Sequence, residues 1–124
     1  MLQVMAIAAG GALGALGRFW VSSGVYRLFG RDFPWGTLAV NVLGSFLMGL
    51  LFVFLLERVA ISAEARAALL VGFLGAFTTF SSFSLETLVL IEQGYLGRAF
   101  VNMWASVLIC VLACWAGVGI GRSL

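Results

Sequence analysis

The chain has no histidine and no lysine, a single proline, two cysteines and very little charge, 10% of its 124 residues. Without histidine it lacks the commonest metal ligand and the commonest general base at neutral pH. Cys110 and Cys114 lie one helical turn apart, with no further partner at metal-site spacing, and read as small buried hydrophobes. A nucleophile–base pair and a phosphate-binding loop are absent as well, so no enzyme is expected, and no nucleic-acid partner. Soluble domains carry about 25% charged residues. Here 63% of residues are hydrophobic and the mean hydropathy is +1.14, which places the chain in a lipid bilayer.

The length holds four spans of about 20 residues each and leaves no room for a soluble domain or a long linker. The spacing predicts an all-α membrane protein with spans over Val4–Leu28, Trp35–Leu56, Ala67–Glu92 and Ala99–Gly121. Met1 leads into an apolar run without a basic flank, so the first segment is expected to be a retained span rather than a signal peptide. Pro34 and Thr37 suit a helix start, with Thr37 as its cap. Small residues repeat along helix faces, Ala6, Gly10 and Gly14 in the first span and Ala113, Gly117 and Gly121 in the fourth. Such faces let helix backbones approach closely. Glu92, Gln93, Gly94, Gly97 and Arg98 read as a polar turn between the last two spans.

Arginine placement bears on orientation. Arg58, Arg66 and Arg122 fall on the side of the termini, and Arg27, Arg31 and Arg98 on the other. Arginine and lysine asymmetry sets membrane orientation, and a three-to-three balance predicts insertion both ways. The expected assembly is an antiparallel, inverted homodimer. Four short helices enclose too little volume for a wide pathway of their own, which also calls for a second subunit.

The third span is the least lipid-like. From Ala67 to Leu85 it holds no charge, yet Thr78, Thr79, Ser81, Ser82 and Ser84 put five hydroxyls into seven residues, interleaved with Phe80 and Phe83. Polar groups in hydrocarbon need partners within the protein or around a wet cavity. Two readings fit: hydroxyls bonding back four residues within an intact helix, or a helix broken after Gly75, with freed carbonyls able to coordinate a monovalent cation. Phe80 and Phe83 are either packing residues or positive ring edges offered to an anion. Asn41 is either interhelical glue or a neutral donor on a path. Arg18 and Glu86 are the ionisable residues well inside spans, either paired or each at a membrane boundary.

These residues together resemble the Fluc (CrcB-like) family of fluoride channels. The match rests on Gly17-Arg18, on Trp35-Gly36-Thr37-Leu38-Ala39-Val40-Asn41, and on Gly72-Phe73-Leu74-Gly75 running into Thr78-Thr79-Phe80-Ser81-Ser82-Phe83-Ser84 with Glu86. The resemblance implies an inverted dual-topology homodimer in the cell's inner membrane, with two fluoride pathways and a broken third helix. Phe80, Phe83 and Asn41 would line the pathway, with the hydroxyls of Thr79 and Ser82 beside them. In the fourth span it implies a polar track through Ser106 and Cys110. Arg18 would attract the anion and Glu86 would belong to the polar surroundings. The carbonyls of Gly75 and Thr78 would hold a structural Na⁺. Cys110 departs from the family's hydroxyl, and a thiol donates weakly. The alternative is a small dual-topology proton-coupled drug antiporter, which needs an early membrane carboxylate where this chain has Arg18.

Overall fold

The computed structural model describes residues 1–58 and 60–124, and over these the chain is helical with short connections. Four segments are long and apolar enough to cross a bilayer: Leu2–Phe29, Trp35–Arg58, Ala63–Glu92 and Leu96–Ser123. At 1.5 Å per residue, 28 residues reach about 42 Å, beyond the roughly 30 Å hydrocarbon core. Helix ends therefore stand in the interfacial layers. The fourth helix starts at Leu96, so Gly97 and Arg98 are its first turn and not part of the connection.

The ends follow local chemistry. Gly30 (φ 83°) stops the first helix, its N–H donating to the Tyr26 carbonyl at 2.8 Å. Gly94 (φ 88°) does the same after Glu92, donating to Ile91 at 3.1 Å while Tyr95 N–H reaches Leu90 at 2.9 Å. Both sit in the left-handed region that glycine enters freely. Ser62 caps the third segment by accepting from the Ala65 N–H at 3.1 Å. Pro34, not Thr37, occupies the cap position of the second helix, and its carbonyl accepts from Leu38 at 3.1 Å. Thr37 is thereby freed for another task.

Lipid tails are as apolar as leucine, so helices in a bilayer associate through close packing rather than hydrophobic drive. The small-residue faces do this here. A Cβ on Gly10 would overlap the Ala68 carbonyl oxygen, and one on Gly14 the Phe73 carbonyl oxygen, which sets the first span directly on the third. Gly49 against the Cys114 carbonyl and Gly117 against the Phe46 carbonyl lock the second span to the fourth. Val53–Arg58 and Ala67–Leu74 are wound with π-type bonding, a wider turn at the facing ends of the second and third spans.

Few side chains are fully enclosed, among them Leu74, Val40, Val53 and Asn102. Most large apolar residues face outward, as expected against lipid. The stretch Phe80–Glu92 is the most thinly covered part of the third span, touching the fourth helix along one side and reaching the first and second through Glu86. Phe80, Leu85 and Leu88 are exposed on it.

Candidate functional site

Thr78 (φ −88°, ψ 157°) and Thr79 (φ −151°, ψ 119°) are extended, between the helical turn Gly75–Phe77 and the helix Phe80–Glu92. Extended residues within a span leave backbone groups in need of partners. Asn41 of the second span supplies two bonds: its Nδ2 donates to the Thr79 carbonyl at 3.0 Å, and its Oδ1 accepts from the Thr79 N–H at 2.7 Å. The second helix comes close enough for this because position 44 is glycine, where a Cβ would overlap the Thr78 methyl. Asn41 is thus both a link between helices and a wall of the site.

The hydroxyls divide their work. Thr79 Oγ1 caps the following helix by accepting from the Ser82 N–H at 3.1 Å, and lies 3.2 Å from Ser81 Oγ. Thr78 and Ser84 bond back four residues, to the Leu74 carbonyl at 3.0 Å and the Phe80 carbonyl at 2.9 Å. Among the described residues no hydrogen bond crosses the extended stretch to the carbonyls of Gly75 or Thr78.

Two hollows flank Thr79. The larger is an open groove of about 420 Å³ whose wall includes Asn41, Ser45, Thr78, Thr79, Phe80, Phe83, Ser106 and Cys110. The Phe80 and Phe83 rings stand 5.3 Å apart at 39°, and Phe80 is 76% exposed in the single chain. The smaller, of about 280 Å³, is lined by Arg18, Ser22, Thr37, Thr79, Ser82 and Glu86 among others. The residues singled out from the sequence therefore fall into two neighbouring hollows, and Thr79 belongs to both. Gly75 lines neither.

Arg18 and Glu86 are not partners. Arg18 Nε donates to the Ala76 carbonyl at 3.0 Å, close to the extended stretch. Glu86 accepts from Tyr26 at 2.6 Å and from Thr37 at 2.5 Å, so hydroxyls from the first and second spans hold its two oxygens. Among the described residues the one ion pair is Arg122 with Glu57 at 3.0 Å, joining the ends of the second and fourth spans.

A second buried chain was not foreseen. Ser106 Oγ donates to Asn102 Oδ1 at 3.4 Å, Asn102 Nδ2 donates to Thr87 Oγ1 at 2.9 Å, and Thr87 Oγ1 donates to the Phe83 carbonyl at 2.7 Å. Asn102 is 1% exposed. Tyr26, Thr37, Thr87 and Asn102 thus join the residues around the site. The available signal was that each is a polar group within a lipid-length segment, which must find a partner. Among the described residues no cluster of three or more histidine, cysteine or acidic side chains could hold a metal. A cation here would have to take backbone or hydroxyl oxygens.

The larger groove is thus lined by uncharged side chains, hydroxyl, amide, thiol, apolar and phenyl. Residues 5–118 match the family described as CrcB-like protein, Camphor Resistance (CrcB). Among curated relatives, a protein of Magnetococcus marinus is 52% identical over 98% of this chain and 98% of its own length. One of Geobacter sulfurreducens is 49% identical over the full length of both. One of Methylococcus capsulatus is 59% identical over 99% of this chain, which spans about half (54%) of that relative. All three carry the name fluoride-specific ion channel FluC. By the extent of these matches and by the four spans that carry them, the chain belongs to the CrcB-like family.

Proposed function

We propose that the protein is a passive fluoride channel in the cell's plasma membrane, working as an inverted pair of identical chains with two anion pathways. The observation that carries this reading is the larger groove, where neutral polar side chains and two phenyl rings line a hollow that stays open on one side in the single chain. The names of the relatives support the same ion. Fluoride is small and holds its water strongly, so a path must replace that water with several close donors. Neutral donors do this without trapping the anion as a full positive charge would. Phenyl edges carry partial positive charge and add to the set. Phe80, exposed on the thinly covered face of Phe80–Glu92, would be covered by the second copy.

The interruption at Thr78–Thr79 serves two roles in this reading. It turns Thr79, Phe80 and Phe83 toward the anion path, and it leaves the carbonyls of Gly75 and Thr78 available to a hard monovalent cation such as Na⁺. Oxygen donors of this kind suit such an ion. When bound, Na⁺ would tie the interrupted segments of the two copies together through these carbonyls. Arg18, held beside the Ala76 carbonyl, would draw anions toward the smaller hollow, with Ser82 and Glu86 as its polar walls.

The experiment is an efflux assay on purified protein in liposomes loaded with fluoride or chloride, with a potassium ionophore as electrical counter-pathway. Fluoride release without chloride release is expected. Equal release of both anions, or none from folded protein, overturns the reading. Proton-coupled uptake of a lipophilic cation that disappears in Glu86→Gln would establish the antiporter instead.

A further inference from the structure

The buried chain from Ser106 to the Phe83 carbonyl has a direction, and the direction decides what Ser106 offers to the groove. A hydroxyl owns one proton. Thr87 spends its proton on the Phe83 carbonyl at 2.7 Å, so toward Asn102 its oxygen can only accept. Asn102 must therefore turn its Nδ2 to Thr87, at 2.9 Å, which leaves Oδ1 facing Ser106. The opposite amide orientation would set two oxygens against each other with no proton between them. Ser106 must then donate to Asn102, at 3.4 Å, and present lone pairs to the groove that it lines. Asn102 is 1% exposed and Thr87 5% exposed, so water does not relax this order.

We propose that Asn102, oriented by Thr87, is a positioning residue that turns the Ser106 proton away from the anion path at rest. The inference rests on the fluoride reading of the groove. Ser106 can serve a passing anion only by rotating its O–H off the Asn102 oxygen. At 3.4 Å that bond is far beyond the 2.7–2.8 Å typical of O–H···O pairs and yields readily. The hydroxyl then swings back when the anion leaves. Such a donor solvates without retaining, which is what a conducting path needs at an intermediate position.

Thr87→Val tests this with little change in volume. It removes the acceptor that orients the amide, so Asn102 can turn, donate to Ser106 Oγ and release the Ser106 proton to the groove. Fluoride efflux from liposomes is measured over a range of internal fluoride concentrations for wild type, Thr87→Val, Asn102→Leu and the double variant. Each protein is first checked for a single symmetric species in detergent. Thr87→Val should lower the half-saturating fluoride concentration about threefold, the worth of one weak hydrogen bond. The double variant should match Asn102→Leu alone, because the amide is what turns. A half-saturating concentration that is unchanged or raised in Thr87→Val overturns the proposal. So does a Thr87→Val effect of equal size with and without the amide, which would mark Thr87 as mere packing. Wild-type protein that releases no fluoride would instead remove the fluoride reading, a result separate from either.

Discussion

Replacing Asn41 with alanine removes both hydrogen bonds between the second span and Thr79, of 3.0 and 2.7 Å. Interhelical hydrogen bonds in membranes average about 0.6 kcal/mol each, giving about 1.2 kcal/mol for the two. The larger cost is the orphaned Thr79 N–H, which is part-buried and has no helical partner; an unsatisfied donor costs about 1–3 kcal/mol. Together the extended stretch should lose about 2–4 kcal/mol of local stability. At 1.4 kcal/mol per factor of ten, opening of the Thr79 amide should become more frequent on the order of 100-fold. Hydrogen–deuterium exchange followed by mass spectrometry on a peptide covering 78–84 reads this directly. Asn41→Leu, which keeps the volume, should accelerate exchange equally, separating the lost bonds from a cavity effect. Exchange at Thr79 within about twofold of wild type in both variants would refute the claim that the amide secures the interruption, since even one average bond is worth more than that.

Five further substitutions separate packing from permeation. Phe80→Ile should strongly reduce fluoride efflux while leaving the fold of each chain in place, read by circular dichroism, because within one chain Phe80 is exposed and its aromatic neighbour is Phe83. Gly10→Ala should destabilise by about 1–3 kcal/mol or more, since its Cβ meets backbone atoms of Ala68 and Phe73 that cannot rotate away. Gly97→Ala, with nothing near the new methyl, should be neutral or stabilising by up to about 1 kcal/mol, both read as unfolding midpoints in detergent. Tyr26→Phe and Thr37→Val should each lower stability by about 1–3 kcal/mol, read as unfolding midpoints, by leaving one Glu86 oxygen without its partner, and the double variant should fall short of their sum because both hydroxyls serve one carboxylate.

The spans were legible because long charge-free runs have few outcomes in a chain of this length. The close faces were legible too, since Gly10, Gly14 and Gly117 repeat at helical spacing and meet carbonyls in the fold. The polarity of residues 78–84 pointed to the candidate site for a physical reason: hydroxyls in hydrocarbon must be used. How they are used was not legible. Two bond back within the helix and one caps it, a division set by where the backbone turns extended. Asn41 meets Thr79 across 38 positions of sequence, and Glu86 is held by residues 60 and 49 positions away, so only tertiary packing reveals either. Thr37 reads as a helix cap locally, but Pro34 takes that position and leaves the hydroxyl for Glu86. Arg18 and Glu86 invite pairing by charge, yet each is satisfied by nearer neutral groups. The wide turns at Val53–Arg58 and Ala67–Leu74 have no residue signature among the apolar side chains that form them.

In the proposed function the neutral groove beside Thr79 conducts fluoride and excludes larger anions. Side-by-side efflux of fluoride and chloride from liposomes, with the electrical counter-pathway opened at time zero, tests it most directly. Rapid fluoride release with chloride retained is expected, as is loss of that release in Phe80→Ile reconstituted at the same density. Chloride release at the same rate as fluoride, or unchanged fluoride release in Phe80→Ile, would contradict it.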